Sequence, residues 1–580
     1  MNFFEHQEKA KKNTFWLIFL FSLAVIGIIL VCYLIVAFAM HGAMGEGYYD
    51  PSLFLGTTFI VLVIVGLATL FKTAQLSAGG KVIAEELGGR LLNPNSGDFT
   101  ERKILNVVEE MAIASGVSTP PVYLMDKEQG INAFAAGFSP DDAVIGVTRG
   151  TVELLSRDEL QGVIAHEFSH ILNGDMRINI RLIGILFGIL VLGMMGYYAL
   201  RSSAYSRSSR GQAGAAIPII GLGLIIVGSI GTLFGNLIKA AVSRQREYLA
   251  DASAVQFTRN PEGIGEALKK IRDHTSKIKS PNAPDASHMF FASGLSSLFA
   301  THPPINERIR RVYGLEVAEE GPELPVAVGQ ESIAAASQLI GAIPEGFKEA
   351  AREPYGSRAL IYALLLSKDE TVRKGQLKTL ENQAEKAVYH EISTRLDELL
   401  KIKPEERLSL VDLAFPALSM LSLDQYVHFK ANIEAISQME TPFEWVVQRL
   451  IKKHLDPQFY PKKKKRTRFQ QIHTMTEAVT IFLAFLTRHG HEDKKMQLKS
   501  YSAAMKKLDL PYHEPRVPSF SQLDRAVDQL KTLSPKDKKR FLDACLASIH
   551  SDQEINVHEK ELIRAVSDAL DCPISLHPVP

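Results

Sequence analysis

Only three cysteines, Cys32, Cys545 and Cys572, occur in 580 residues. None has a neighbour at the spacing of a paired metal ligand, and Cys32 lies inside an apolar run. That argues against a disulfide framework and fits a soluble part kept in a reducing compartment. An excess of charge is missing too: 65 Lys plus Arg face 64 Asp plus Glu, for a net charge of +1. Such a balance gives no global attraction to nucleic acid. At this length one ordinary core is not enough, so two or more domains are expected.

What the chain has instead is four long uncharged stretches. Thr14–Met40, Ser52–Phe71, Leu182–Leu200 and Gly211–Ile238 contain no Asp, Glu, Lys or Arg. Each is close to or above the ~20 residues a helix needs to cross ~30 Å of hydrocarbon. The first is too long for the ~7–15-residue core of a secretory signal, and a second follows soon, so a true span is expected. Lys9, Lys11 and Lys12 precede it, the connector His41–Pro51 has no Lys or Arg, and Lys72 follows the second stretch. Basic flanks mark the cytoplasmic side, which predicts a cytoplasmic N-terminus and a short outside loop. The second pair obeys the rule less cleanly. Arg177, Arg181, Lys239, Arg244 and Arg246 flank its cytoplasmic side, but Arg201, Arg207 and Arg210 fall in the outside connector. A hairpin that does not fully cross is the alternative for that pair.

Between the two pairs the pattern changes. "PVYLM" (Pro121–Met125) and "AVIGVTRG" (Ala143–Gly150) are short β-branched runs bounded by turn residues, and "INAFAAGF" (Ile131–Phe138) between them is a candidate third strand. Ser156 followed by Glu159 matches a capping box and opens a helix that runs to a stop signal at Asn173-Gly174. Within it lies His166-Glu167-Phe168-Ser169-His170. Histidines four apart project from one helical face toward one point, where neutral imidazoles can share a Zn²⁺ while Glu167 takes a proton from its water. A catalytic zinc needs a third protein ligand. The best candidate is Glu247 in "SRQREYLADASA", with Asp251 four residues on as an acceptor behind the ligands. If the third and fourth stretches form a hairpin, the His helix and the Glu helix emerge together on one membrane face.

Those residues, together with Thr301-His302-Pro303-Pro304 and Glu307-Arg308-Ile309, resemble the HtpX-type membrane zinc metalloproteases, a gluzincin family related to CAAX prenyl proteases. Residues of about 1–315 follow its layout of two spans, a zinc helix, two more spans and a Glu helix. The resemblance implies one Zn²⁺ per chain held by His166, His170 and Glu247, with Glu167 as the catalytic carboxylate. It further implies His302 as a donor to the oxyanion and Arg308 as the partner of Asp251. Asn132, Ala133, Phe134, Ala135, Ala136 and Gly137 resemble the family's edge strand, which pairs with extended substrate.

The expected fold class is a mainly α integral membrane protein. It combines a zincin-like α+β metalloprotease domain with four transmembrane helices and a separate all-α C-terminal domain. The expected division is a two-span anchor at 1–72, the protease at 73–316 including the hairpin 182–238, an acidic, Pro-rich linker at 317–330, and a helical cytoplasmic domain at 331–580. Its segment of about 520–575 resembles a TerB-like helical module. Asp552, Glu554 and Asn556 alternate like part of a Ca²⁺ loop, but Val557 and Ile563 stand where an EF-hand needs Gly and Glu, so a helix cap is the expectation there. Lys462–Arg468 reads as a solvated loop rather than a contact to anionic lipid.

Together these readings point to an endopeptidase at a bacterial inner membrane, with its site and helical domain on the cytoplasmic side. Its expected substrates are misfolded or damaged membrane proteins, its surroundings the bilayer, its further partner a protein bound by the helical domain, and no nucleic acid. A catalytically silent membrane scaffold or sensor with a structural zinc is the alternative, against which the intact Glu167 argues. An intramembrane protease is disfavoured because Arg157, Asp158, Asp175 and Arg177 surround the His motif.

Overall fold

The computed structural model describes residues 19, 22–39, 50–76, 79–205, 212–258, 260–274, 290–291, 303–314, 330–460, 470–512, 514–550, 556–570 and 572. The third strand candidate is real, and a fourth joins it. β1 (Arg90–Leu91), β2 (Val122–Met125), β3 (Ala133–Ala136) and β4 (Val144–Thr148) form one sheet in the order β1-β2-β4-β3. β2 and β4 are parallel, whereas β1 and β3 run antiparallel to their neighbours. β1 is too short for any alternation to reveal it. Among the described residues β3 therefore lies at an edge of the sheet, with β4 as its one strand partner. Phe134 crosses directly over Gly146, where any side chain would collide with its ring at 2.2 Å.

The helix Arg157–Asn173 packs against β3 and begins with the capping box: the Ser156 N–H donates to Glu159 at 2.7 Å, and the Glu159 N–H to Ser156 Oγ at 3.3 Å. It ends at Gly174, whose φ of 69° is a left-handed conformation that glycine adopts without a Cβ penalty. The next helix, Asp175–Tyr205, starts at once. Its antiparallel partner, Gln212–Thr258, is a single 47-residue helix. The fourth apolar stretch and the segment carrying Glu247 are thus one rod of about 70 Å, not two successive helices.

Ser22–Ala39 and Pro51–Leu76 are two helices long and apolar enough to cross a membrane; in the other pair the described apolar stretches, Leu186–Ser202 and Pro218–Gly231, are shorter. Val25, Ile29, Val61, Val65, Ile189, Leu192 and Val227 join all four helices in one buried cluster. The hairpin closes on small residues: a Cβ on Gly228 would lie 2.5 Å from the Gly193 Cα. Outward, Leu55, Phe59, Leu67, Met194, Tyr198, Leu222 and Ile226 are exposed.

From Gln330 to Ala569 every element among the described residues is helical. This part is docked rather than tethered. Helix Gln330–Ala342 packs on helix Phe99–Ser115, and one contiguous apolar cluster runs from the sheet region into the C-terminal helices. Arg352 reaches Glu109 with two hydrogen bonds of 2.6 and 3.1 Å, both side chains buried. Helices Phe520–Leu530, Pro535–Ile549 and Val557–Ala569 occupy the last part of the chain, and Asn556 caps the last of them through a box with Glu559. Of the expected linker 317–330, residues 317–329 lie outside the described residues and Gln330 already opens a helix; the basic run 462–468 also lies outside them. The three cysteines are buried and unbridged.

Candidate metal centre

The hairpin brings Glu247 back to the His helix. His166 Nε2 and His170 Nε2 face each other at 3.2 Å. Glu247 offers one carboxylate oxygen to each, Oε2 at 3.7 Å from His166 and Oε1 at 3.6 Å from His170. All three residues can place one donor atom each around a common point.

Behind each imidazole stands a carboxylate. His166 Nδ1 lies 3.0 Å from Asp251 Oδ1, and His170 Nδ1 lies 3.0 Å from Asp175 Oδ2. An aspartate beside each Nδ1 favours the tautomer that presents Nε2 to the centre as the metal-binding atom. Two lone pairs 3.2 Å apart repel unless a cation or a proton lies between them. Zinc–nitrogen bonds of ~2.0–2.1 Å in a tetrahedron put two nitrogens about 3.3–3.4 Å apart, so the donor set fits zinc. Each aspartate is in turn held by an arginine. Arg308 donates to Asp251 through Nε at 2.8 Å and Nη2 at 2.7 Å, and Arg246 Nη1 lies 2.9 Å from Asp175.

Phe291 closes one side. Its ring meets His166 edge-on at 4.6 Å between centroids, its N–H donates to Ala133 O at 2.8 Å, and its carbonyl accepts from Arg308 at 2.7 Å. Ala133 N–H takes the Asn132 side-chain oxygen at 3.0 Å. The Asn132 N–H in turn is bound by Thr148 and Thr151 hydroxyls at 3.0 and 2.7 Å, which fixes the start of β3.

Electrostatics separates the groups. Glu167 is 1% exposed, and neither carboxylate oxygen has a well-formed hydrogen bond among the described residues. Burial pushes its pKa up to about 8, while His170, the backbone of Ala135 and Arg308 pull the other way. Burial lowers His166 to about 4 despite Asp251. At His170 burial also acts downward, but the Asp175 hydrogen bond and the charges of Glu247, Asp175 and Glu167 outweigh it and raise the ring to about 9. These values come from the protein groups alone, and a divalent cation would drive both Glu167 and His170 down.

The sequence expectation thus finds His166, Glu167, His170, Glu247, Asp251 and Arg308 in one buried cluster, with Asn132–Gly137 forming and flanking the edge strand beside it. His302 lies outside the described residues. Sequence reasoning missed Asp175, Arg246 and Phe291 as parts of the cluster. Asp175 had a readable signal, since a carboxylate just past the left-handed Gly174 turns back toward the end of the His helix. Phe291 had none.

Comparison with known proteins agrees with this geometry. The model of peptidase family M48 matches residues 98–316. A protease HtpX homolog of Dictyoglomus turgidum is 35% identical over 314 residues, which is 53% of this chain and 94% of that protein. One from Bacteroides fragilis is 34% identical over 295 residues, 48% of this chain and 88% of its own. One from Caldanaerobacter subterraneus subsp. tengcongensis is 41% identical over 221 residues, 37% of this chain and 71% of its own. No solved structure matches the chain. A His–Glu–x–x–His helix joined to a distant glutamate, within a region that aligns with 71–94% of the length of these proteases, makes the chain a member of the HtpX-type metalloproteases of peptidase family M48.

Proposed function

We propose that this metalloprotease is a multi-pass membrane zinc endopeptidase that hydrolyses peptide bonds of misfolded or damaged membrane proteins at the cytoplasmic surface. The observation that carries the zinc assignment is the facing pair of Nε2 atoms with Glu247 astride them. Bound there, zinc would supply Lewis acidity to a water molecule and to the scissile carbonyl. The chain's own groups do the rest. Asp251 and Asp175 hold the imidazoles in the tautomer that binds metal. Glu167, buried and raised in pKa, accepts the proton of the attacking water and returns it to the departing amine, a role worth ~10²–10⁴-fold. β3 offers its outer edge to an extended peptide, so main-chain hydrogen bonds bind any sequence and pockets select among them. His302 is the proposed donor to the oxyanion.

The membrane reading rests on the apolar exterior of the four-helix bundle. Large exposed apolar side chains lie on Asp175–Tyr205 and Gln212–Thr258 as well as on the two longer apolar helices, a surface that water does not favour and lipid does. Close Gly–Gly contacts also suit helix association in lipid, where small residues let backbones approach. The flanking Lys and Arg support a cytoplasmic side for the site. The docked helical domain recruits substrates or a protein partner.

The experiment is Glu167→Gln in the full-length protein purified in detergent. It should bind zinc at the wild-type stoichiometry and lose hydrolysis of fluorescein-labelled casein by at least ~10²-fold. Near-normal turnover would remove Glu167 from the chemistry, and a wild type that binds zinc without cleaving casein would point to a scaffold.

A further inference from the structure

The β3–β4 connection is short and unusually well held. It passes through the turn Pro140–Asp142, where the Asp142 carboxylate accepts from Phe138 N–H at 2.8 Å and Ser139 N–H at 2.7 Å. Arg177, at the start of the membrane hairpin, donates to the Phe138 carbonyl at 2.8 Å. The opposite side of the turn is gripped by the C-terminal helical domain.

There Asp141 meets Lys453 and His454, the last residues of helix Pro442–His454, and through them Asp568 on helix Val557–Ala569. Lys453 Nζ lies 3.1 Å from Asp141 Oδ1 and 3.4 Å from Asp568 Oδ1. His454 spans the same two carboxylates, Nδ1 at 3.4 Å from Asp141 and Nε2 at 2.9 Å from Asp568. Asp141, His454 and Asp568 are close enough for their donor atoms to share a metal ion. The Lys453 ammonium already occupies the cationic position between the carboxylates, so the cluster is an ion-pair latch. It is nearly closed to water: His454 and Asp568 side chains are 5% and 7% exposed and Lys453 is 11% exposed. Although burial opposes it, the charges of His454, Lys453 and Arg564 hold the Asp568 carboxyl well below the usual carboxylate range. A latch of buried charges tolerates little displacement, because breaking one partner leaves the others unpaired.

We propose that Lys453, His454 and Asp568 are positioning residues for peptide hydrolysis: through Asp141 they clamp the β3–β4 turn and so fix the edge strand on which the substrate is laid. Among the described residues β3 has four residues and one neighbouring strand, too few ladder hydrogen bonds to hold its own pitch and register while a second strand is added. Asn132 and Phe291 secure its start, and the turn, with Gly80 close against the Ala136 carbonyl and Arg177 on the Phe138 carbonyl, secures its end. The C-terminal helical domain therefore completes the substrate-binding edge through the turn behind it. This rests on the reading that β3 pairs with substrate.

Full-length, zinc-loaded Lys453→Met, Lys453→Arg and wild type should be compared on fluorescein-labelled casein, with amide exchange followed at Ala133–Ala136. Lys453→Met should raise KM about tenfold, within the roughly 5–150-fold range of coupled sites, with kcat and zinc content unchanged and faster exchange in β3. Lys453→Arg should restore KM. A Lys453→Met protein with full zinc and wild-type KM overturns the proposal while leaving the protease reading intact. A zinc-loaded wild type that cleaves no casein sinks that reading instead. Should Lys453→Met fail to fold, the isosteric Asp141→Asn decides by the same KM–kcat split and exchange rates.

Discussion

Asp175 Oδ2 stands 3.0 Å from His170 Nδ1, and the same carboxylate is held by Arg246 at 2.9 Å. One aspartate thereby ties together the end of the His helix, the start of the helical hairpin and the helix on which that hairpin returns. Asp251 repeats the arrangement at His166 with Arg308 behind it. The metal centre is supported on both sides by the same three-part device: arginine, aspartate, imidazole.

Asp175→Asn and Asp251→Asn should each weaken zinc binding by roughly 10–100-fold, since an amide no longer fixes the tautomer or raises ring basicity. Competition with a fluorescent zinc chelator measures this. Wild-type affinity in Asp175→Asn would show that His170 needs no such partner.

Zinc affinity should also depend on pH with a definite sign. The protein groups hold His170 at about 9 and His166 at about 4. Below about 9, zinc must therefore displace a proton from His170, while His166 is already neutral above about 4. Affinity in the chelator-stripped protein is expected to rise by up to about tenfold per unit between pH 6.5 and 8.5 and to level off above the His170 pKa. A flat profile over that range would contradict the ionisation assigned to His170.

Gly228→Val tests the hairpin. Its new Cβ would sit 2.5 Å from the Gly193 backbone, so the helices must part, at a cost of about 1–3 kcal/mol by analogy with overpacked cores. Lower thermal stability in detergent and loss of bound zinc are expected together, because that hairpin delivers Glu247. Stability lost with zinc retained would mean that the metal centre tolerates a displaced hairpin.

Arg352→Met leaves Glu109 buried without its partner at the junction of the two soluble parts. Breaking such a pair costs about 3–5 kcal/mol. Limited proteolysis should then cut between helix Phe99–Ser115 and the C-terminal helices faster than in wild type. An unchanged digestion pattern would mean that the apolar interface alone holds the parts together.

Much of the metal centre was readable because it is local or follows from connectivity. His166, Glu167 and His170 share one helical face whatever surrounds them, and the Ser156–Glu159 box marks where that helix begins. Glu247 was reachable because two apolar stretches that pair as a hairpin must return the chain to its starting side. The strands at Val122–Met125 and Val144–Thr148 showed in their β-branched runs. β1, two residues long, carries no periodicity at all. Phe291 reaches His166 through packing alone, and nothing in its neighbours announces that contact.

The sequence by itself determined the chemistry: which side chains can hold a divalent ion, which carboxylate can move a proton, and which stretches avoid water. These depend on residue type and spacing along one helix or one span. Only the tertiary structure decided that the Glu helix and the fourth apolar stretch are one rod, that Asp175 and Arg246 support His170, and that the C-terminal helices grip the turn behind β3. Contacts between residues tens to hundreds of positions apart depend on how helices pack in three dimensions. No local pattern in either partner encodes that packing.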